Sequence, residues 1–217
     1  MTRPRAAVFD LDGTLLPRTS AERLFLRFLV RKRLVGPRGL LAAAARVATL
    51  PLRGREEALL RNKAYMAGIS EQDVRALADD FVAAIVAPRL CPVILRRMEG
   101  LRADGFVLDL LSGTHDVIAE AVGRRLGMAD ALGTALEVVD GRYTGTIAGV
   151  HYFGPAKVEG VEILRRRRDF DPEVSFAFGD HGADVAFLER FGHPVAVEPD
   201  RSLRREALRR GWEVVER

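Results

Sequence analysis

Two aspartates separated by one residue, Asp10 and Asp12, follow an apolar run near the start of the chain. The run from Ala6 to Phe9 predicts a short strand buried on both faces, because it is brief and ends in turn residues. Side chains two positions apart in an extended chain point to the same side. Two carboxylates placed together in this way are costly unless a cation lies between them. The pattern therefore predicts a site for a hard divalent cation.

Gly13 follows the aspartates and lets the backbone turn with its amide groups facing an anion. Carboxylates that hold a divalent cation, beside amides that bind phosphate oxygens, are the parts of a phosphoryl-transfer site. An aspartate pair at a strand end also occurs as an ordinary capped turn. The phosphoryl-transfer hypothesis therefore depends on matching residues further along the chain.

Such residues follow later apolar segments. A second strand is predicted from Phe106 to Leu111 and a third from Val174 to Phe178, and a helix is predicted to begin at Pro155. The polar residues next to these elements are Ser112, Gly113, Thr114, Lys157, Asp180 and Asp184. Because parallel strands bring their carboxyl ends to one edge of a sheet, we expect the residues after the strands to lie near Asp10 and Asp12.

Residues 17–88, between the first two predicted strands, have the apolar spacing of helices. Leu24, Phe25, Phe28 and Leu29 recur three and four positions apart, which predicts one apolar helix face. Thr19 or Ser20, in the turn before it, is expected to cap this helix. The other predicted helices are Leu40 to Leu50, Glu56 to Met66 and Ser70 to Ala87. Four helices between two strands indicate an inserted helical bundle.

From Cys91 onward, predicted helices alternate with short apolar strands. The remaining helices are predicted at Pro92 to Ala103, His115 to Leu126 and Ser202 to Arg210, and the remaining strands at Pro194 to Val197 and Glu213 to Val215. Two extended runs, Ala135 to Val139 and Arg142 to Ile147, flank Asp140-Gly141 and predict a hairpin. The alternation favours an α/β fold, with a doubly wound parallel sheet covered by helices on both faces. Residues 1–16 and 89–217 would form this core, and 17–88 the helical insert.

Composition limits the class of protein. The chain has 217 residues, of which 48% are hydrophobic, enough for a sizeable core, and a net charge of +4. That charge suits an anionic substrate, although arginines on solvated helix faces would also explain it. The run from Arg165 to Arg168 is accompanied by no aromatic platform on which bases could stack, so no nucleic-acid partner is expected.

Cys91 is the single cysteine, which excludes an intramolecular disulfide. No apolar run reaches the roughly 18 to 20 residues of a membrane span, and a strand is predicted within about five residues of the start, so we expect a cytoplasmic protein without a signal peptide.

The segment DLDGTL closely resembles the first motif of the haloacid dehalogenase (HAD) superfamily, and the resemblance extends over nearly the whole chain. A helical insert between the first and second motifs is similar to the C1-type cap of subfamily IB, which includes the phosphoserine phosphatases. The segments LEVVDGRYTGTI and AVEPDRSLRREALRRGWEVV look like a bacterial phosphoserine-phosphatase-like branch. This resemblance implies a Rossmann-like core and a Mg²⁺-dependent phosphatase.

The resemblance also implies a role for each polar residue. Asp10 matches the nucleophile that forms an aspartyl-phosphate, and Asp12 matches the general acid and base. Ser112 matches the phosphate-binding hydroxyl of the second motif, beside Gly113 and Thr114, and Lys157 matches the third-motif lysine. Mg²⁺ would be held by Asp10, the carbonyl of Asp12 and Asp180. Asp184, near the metal or holding its loop, and His181, in the same loop, would support the site.

Three positions differ from the family pattern or leave alternatives. Thr19 lies nine residues after Asp10, where phosphoserine phosphatases carry a glutamate that meets the substrate amine, which argues against phosphoserine as the substrate. His181 replaces a small residue and is expected to form a hydrogen bond in its loop, with a substrate or proton role as the alternative. His115 is expected in the first turn of a helix, with a phosphate contact as the alternative.

Several functions stay open at this point. The leading hypothesis is hydrolysis of a small phosphorylated metabolite, and the alternatives are a phosphotransferase, a lipid-phosphate phosphatase and a catalytically silent binding protein. The stripe formed by Phe25, Phe28 and Leu29 is expected in the core of the insert. Together with residues 40–50 and the basic residues 31–33, it could instead contact a lipid surface peripherally. Both a monomer and a homodimer agree with the sequence.

Overall fold

The fold was analysed in a computed structural model, which describes residues 3–37 and 63–216 together with positions 39, 41 and 45. Within this part of the chain, six parallel strands form one sheet in the order β3-β2-β1-β6-β7-β8. The strands are β1 Ala6–Phe9, β2 Val107–His115, β3 Asp130–Thr134, β6 Phe176–Gly179, β7 His193–Val197 and β8 Glu213–Val215. The predicted doubly wound α/β fold is confirmed.

The centre of the sheet is buried on both faces, because successive apolar side chains of a strand point to opposite faces. In β1, Ala7 and Phe9 join one hydrophobic cluster, whereas Ala6 and Val8 join the cluster on the opposite face. The rings of Phe9 and Phe178 stack with their centroids 4.4 Å apart, which ties β1 to β6 directly below the strand ends that carry the polar residues.

Seven α-helices lie wholly within the described residues. They are α1 Ala21–Arg31, α2 Glu71–Phe81, α3 Pro92–Ala103, α4 Asp116–Leu126, α5 Lys157–Arg168, α6 Val185–Leu188 and α7 Arg201–Arg210. None of them is long and apolar enough to span a membrane.

Helices α1 and α2 belong to the insert between β1 and β2. Ser20 caps α1, since its side chain accepts a hydrogen bond from the Arg23 amide. Phe25 and Phe28 pack against Phe81 of α2, with ring centroids 4.9 and 5.4 Å apart. The predicted helix at residues 40–50 lies outside the described residues, apart from positions 41 and 45. The same holds for the predicted helix at 56–66, apart from its end, where Ala64–Met66 form a short 3₁₀ turn. The domain boundaries stay a prediction.

The predicted helical stretch from Ser70 to Ala87 is confirmed, but it does not remain α-helical to its end. Ser70 is the N-cap as expected, but α2 ends at Phe81 and continues as a π-helical turn over Val82–Val86 and a 3₁₀ turn over Ala87–Arg89. Pro88 has no amide hydrogen and cannot continue an α-helix, so the segment changes its hydrogen bonding before reaching that residue.

The hairpin around Asp140 and Gly141 is confirmed as β4 Leu136–Val139 and β5 Arg142–Ile147. Both turn residues have positive φ, 49° and 71°, as the two-residue hairpin turn requires. Tyr143 of β5 exchanges backbone hydrogen bonds with Gly68 and Ile69. The hairpin therefore rests on the segment that leads into α2.

Candidate active site

The carboxyl edge of the sheet brings distant acidic residues together. β1 ends immediately before Asp10 and β6 ends immediately before Asp180, and the amide of Asp10 donates to the carbonyl of Phe178 at 3.0 Å. Carboxylate oxygens of Asp10, Asp180 and Asp184 lie within 4.8 Å of one another. Asp10 and Asp184 are buried, and Asp180 is partly exposed.

Lys157 is the cation of this cluster. Its ammonium nitrogen lies 2.7 Å from Oδ1 of Asp10 and 2.7 Å from Oδ1 of Asp184. Only 3% of the lysine is exposed. The residue opens α5 after a 3₁₀ turn that begins at Gly154, so the first turn of the helix delivers the side chain to the strand ends. One buried ammonium thus offsets part of the charge of two buried carboxylates.

The turn after β1 fits closely against Asp180. Gly13 has φ +87°, and a Cβ atom on it would lie 1.9 Å from Oδ2 of Asp180. The hydroxyl of the buried Thr14 donates to Oδ1 of Asp180 at 3.3 Å. Glycine is therefore required at position 13 both by the backbone conformation and by the nearness of the carboxylate.

The crowding of carboxylates shifts their proton affinities. Burial raises the pKa of Asp10 to about 6, and the charge of Lys157 opposes this shift. Burial and the negative charges of Asp10 and Asp184 together raise the pKa of Asp180 to about 8. Burial alone would lower the pKa of the Lys157 ammonium, but Asp10 and Asp184 raise it above its usual value. The cluster has more negative charge than one lysine can balance, which favours a second cation.

Asp12 has a different environment from Asp10. Its Oδ1 accepts a hydrogen bond of 2.8 Å from the amide of Ala21, the first residue of α1. Burial raises the pKa of Asp12 to about 7, with the charges of Asp10 and Glu22 acting in the same direction. A carboxyl group with such a pKa can hold and release a proton near neutral pH.

The second-motif residues lie in a strand that is longer than predicted, and the helix predicted from His115 begins one residue later. β2 continues through Ser112, Gly113 and Thr114 and ends at His115, so α4 begins only at Asp116. The extension is explained by β3, which pairs with β2 as far as Thr134. Ser112 and Thr114 are buried. Because Phe9 pairs with Leu110, Ser112 lies within β2 beside the point where the chain leaves β1 at Asp10.

The two histidines serve their local backbone. His115 is the N-cap of α4 rather than a residue of its first turn, and its Nδ1 accepts from the amide of Val117. His181 Nδ1 likewise accepts from the amide of Ala183, and its Nε2 lies 3.4 Å from a carboxylate oxygen of Asp200. The side chain of His181 is 53% exposed. The expected loop hydrogen bond of His181 is therefore present.

Sequence reasoning missed a polar cluster in the insert. The carboxylate of Glu22, in the first turn of α1, accepts hydrogen bonds from the buried ammonium of Lys63 and from the hydroxyl of Tyr65 at 2.9 Å. The raised pKa of Asp12 depends in part on Glu22, so this cluster lies within electrostatic reach of the acid. The sequence signal for this cluster was the acidic Glu22 just after a predicted helix cap, and that signal did not identify Lys63 or Tyr65 as its partners.

A divalent cation fits this donor set. Asp10, Asp180 and Asp184 offer oxygen atoms alone, which is the chemistry that Mg²⁺ prefers, and their carboxylates already lie close together. Asp184 also accepts from Lys157, whereas Asp180 faces Gly13 and Thr14. The acidic cluster could therefore bind a metal ion.

A family model of haloacid dehalogenase-like hydrolases matches residues 7–189. The chain belongs to this family. The protein is thus a hydrolase whose buried acidic cluster lies where a doubly wound sheet places its ligands.

Two curated relatives and one solved structure extend the comparison. Phosphoserine phosphatase SerB1 of Mycobacterium tuberculosis is 33% identical over 96% of this chain and 70% of its own length. A histidinol-phosphatase of Neisseria meningitidis serogroup C is 27% identical over 96% of this chain and 97% of its own. A protein of unknown function from Bordetella pertussis Tohama I superimposes with a TM-score of 0.81 at 28% identity and covers 99% of both chains. Together with the family match, these relatives make the chain a phosphatase of the haloacid dehalogenase type.

Proposed function

We propose that the protein is a Mg²⁺-dependent phosphomonoester hydrolase that forms an aspartyl-phosphate on Asp10 and acts on a small phosphorylated metabolite. The observation that carries the proposal is the placement of Lys157, whose ammonium bridges Asp10 and Asp184 at the carboxyl edge of the sheet. A buried lysine there stabilises an ionised nucleophile and the negative charge of an approaching phosphoryl group.

The reaction would take place in two displacements at phosphorus. A carboxylate oxygen of Asp10 forms a bond to phosphorus while the bond to the ester oxygen breaks, and Asp12 gives its proton to that leaving oxygen. Asp12 then takes a proton from water, whose oxygen forms a bond to phosphorus while the bond from phosphorus to the Asp10 oxygen breaks. This step releases inorganic phosphate and restores the Asp10 carboxylate. The pKa of Asp12, raised to about 7, suits a group that gives and then takes one proton.

Mg²⁺, when bound, would neutralise charge on the phosphoryl oxygens and orient them. The residues proposed to hold it are Asp10 and Asp180 through their carboxylates and Asp12 through its backbone carbonyl. The carboxylate of Asp12 is engaged with the start of α1, which supports the use of its carbonyl. We propose that Asp184 mainly orients Lys157, since it accepts a hydrogen bond from that ammonium.

Phosphate binding is proposed for Ser112, Gly113 and Thr114. The hydroxyl oxygen of Thr114 is buried without a hydrogen-bond partner among the described residues, which is consistent with a group that awaits a ligand oxygen. The backbone amide of Thr114 donates to the hydroxyl of Ser112 at 3.2 Å, which holds the Ser112 side chain against the backbone of the same segment.

The substrate is proposed from the chemistry around Asp12. Phosphoserine and histidinol phosphate, named for two of the relatives, both carry an amino group near the ester. In this chain Thr19 offers no carboxylate, and Glu22 is engaged by Lys63 and Tyr65. We therefore expect phosphoserine to be a weak substrate.

A cytoplasmic location stays a prediction, as do the subfamily and the oligomeric state.

Phosphate release from a panel of phosphomonoesters tests the proposal. The panel contains phosphoserine, histidinol phosphate, sugar phosphates, nucleotides and lysophosphatidate, each with Mg²⁺ and with EDTA. The Asp10→Asn variant keeps the shape of the nucleophile and should lose activity by a factor of about 10³ or more. Glu99→Gln, which neutralises an exposed carboxylate, is the matched control and should turn over like the wild type.

Two results would contradict the proposal. One is turnover that persists in Asp10→Asn, which would exclude this nucleophile. The other is an inactive protein that binds Mg²⁺ and phosphate esters, which would indicate a binding protein. Transfer of phosphate to an added alcohol in preference to water would change hydrolysis to phosphotransfer and leave the role of Asp10 intact.

A further inference from the structure

Helix α1 has two faces of opposite character. Phe25 and Leu29 are fully buried and Phe28 is 8% exposed, so this apolar stripe is core, as predicted, and faces away from any external surface. Arg23, Arg27 and Arg31 are spaced four residues apart and are all exposed. Each step of four turns the position by about 40°, so the three arginines share the outer face.

The basic face continues past the end of the helix. Lys32 and Arg33 are exposed, and the ammonium of Lys32 lies 5.4 Å from the centroid of the Phe28 ring. We use the term α1 basic face for residues Arg23, Arg27, Arg31, Lys32 and Arg33. Its five positive charges lie within one helix of about 16 Å and the turn that follows it.

Within the described chain, no carboxylate forms an ion pair with the α1 basic face. The acidic residue of the helix, Glu22, is instead directed to Lys63 and Tyr65. Arginines of α7 differ in this respect, because Arg204 pairs with Glu216 and Arg209 with Glu206. The charge of the α1 basic face is thus available to an external anionic partner.

An apolar edge accompanies these charges. Val30, which is 38% exposed, comes seven residues after Arg23 and therefore lies at nearly the same angle around the helix axis. The partly buried Leu26, four residues before Val30, lies on the same side. A cluster of about four to eight lysines and arginines on an amphipathic helix is the arrangement that binds anionic lipid headgroups electrostatically. The outer positions of α1 hold no aromatic ring on which a nucleic-acid base could stack, which makes nucleic acid the weaker alternative.

We propose that the α1 basic face, with Val30 at its edge, docks on the surface of an anionic lipid bilayer. The arginines and the lysine would contact lipid phosphates, and the aliphatic edge would enter the headgroup region. Because α1 begins at the carboxylate of Asp12, docking would hold the active site close to the bilayer. This proposal is independent of the proposed reaction, since vesicle binding requires no turnover.

Cosedimentation of the full chain with vesicles tests the proposal. The vesicles are pure phosphatidylcholine or phosphatidylcholine with about 30% phosphatidylglycerol, a composition that supplies a negative surface potential. The test variant is Arg23→Gln/Arg27→Gln/Arg31→Gln. The matched control, Arg201→Gln/Arg204→Gln/Arg205→Gln, removes the same charge from the exposed side of α7. Glutamine keeps good helix propensity at all six positions.

Wild-type protein should bind the anionic vesicles and not the neutral ones, and added salt should weaken binding. Each basic residue near an anionic membrane contributes about 1 kcal/mol to the binding free energy, so the α1 variant should bind about 100-fold more weakly than the wild type. The affinity of the α7 variant should stay within about threefold of the wild-type value. Lys32→Gln/Arg33→Gln, which changes residues beyond the helix, should give an intermediate loss of about 10-fold or more and covers the case in which the triple variant does not fold.

Three outcomes would overturn the proposal. They are failure of the wild type to bind anionic vesicles, equal losses in the α1 and α7 variants, and binding that is the same on both kinds of vesicle. A further arm uses a DNA oligonucleotide in place of vesicles. Tight DNA binding that depends on α1, without vesicle binding, would assign the surface to nucleic acid instead.

Discussion

The ammonium nitrogen of Lys157 lies 2.7 Å from Oδ1 of Asp10, and both side chains are buried. Neither charge is stable there alone, because an isolated buried ion loses its hydration without compensation. Burial raises the pKa of Asp10, and Lys157 is the group that opposes this shift. The lysine thus helps to keep the proposed nucleophile ionised.

Replacement of this lysine should affect both stability and activity. Lys157→Met keeps the length of the side chain and removes its charge, so Asp10 and Asp184 lose their cation. We expect the free energy of unfolding to fall by about 3–5 kcal/mol and kcat to fall about 10²- to 10³-fold. Urea unfolding and phosphate release at a temperature where the variant is folded would measure the two effects.

The control is Lys32→Met, because Lys32 is exposed at the end of α1. Its free energy of unfolding should stay within about 0.5 kcal/mol of the wild type. A Lys157→Met protein that is folded and turns over at the wild-type rate would exclude a catalytic role for the lysine.

Mg²⁺ should stabilise the folded chain through its acidic cluster. At a concentration 100 times the dissociation constant, binding to the folded state adds about 2.7 kcal/mol, which corresponds to a rise in Tm of about 5–10 °C for a chain of this size. Asp180→Asn should abolish most of this rise, and Glu99→Gln should keep it. Thermal unfolding with Mg²⁺ and with EDTA is the measurement. An equal rise in all three proteins would mean that the ion binds elsewhere.

The sequence predicted the strand ends well because their signals are local. An apolar run followed by acidic residues identifies both the strand and its carboxyl end, as at Phe9-Asp10 and Gly179-Asp180. The buried position of Lys157 was not predictable in this way, since a lysine in the first turn of a helix usually lies on the surface. Its role as a cation was implied by the family resemblance, and its contacts became visible only in the fold.

Two features depended on partners distant in the chain and were not predictable. Strand β3, Asp130–Thr134, contains an acid and a glycine and has little apolar character of its own. It forms because β2 offers an edge, and that pairing also keeps residues 112–114 extended. The contact of Glu22 with Lys63 joins positions 41 residues apart, which no periodicity connects.

Gly13→Ala should destabilise the protein and abolish its stabilisation by Mg²⁺. Alanine at a positive φ costs about 1 kcal/mol, and its Cβ would lie 1.9 Å from a carboxylate oxygen of Asp180. The carboxylate must then move, so we expect a total loss of about 2–4 kcal/mol and a loss of Mg²⁺-dependent stabilisation. Thermal unfolding with and without Mg²⁺ would show both.

Gly141→Ala separates backbone strain from the steric clash. Gly141 has φ +71° in the hairpin turn, and no atom lies within 4 Å of an added Cβ. This variant should lose about 1 kcal/mol and keep its response to Mg²⁺. If both variants lost the same stability and both kept that response, the close fit of Gly13 against Asp180 would have no functional weight.

The last prediction concerns Asp109, which is fully buried in β2 and has no hydrogen bond to either carboxylate oxygen among the described residues. Arg168 Nε lies 3.5 Å from Oδ1. Burial raises the pKa of Asp109 from 3.8 to about 6 despite this arginine. The folded chain therefore binds the proton more tightly than the unfolded chain. The contribution of Asp109 to stability is most favourable below about pH 4 and falls as the pH rises to about 6.

Asp109→Asn should remove this dependence. A shift of about two pKa units corresponds to about 3 kcal/mol, so the variant should be more stable than the wild type by about 1–3 kcal/mol at pH 8, with a smaller difference at pH 5. Urea unfolding at the two pH values gives the comparison. Asp104→Asn, at an exposed position, should show no such change between them. An Asp109→Asn protein that is less stable than the wild type at pH 8 would show that the pair with Arg168 outweighs the cost of burying the charge.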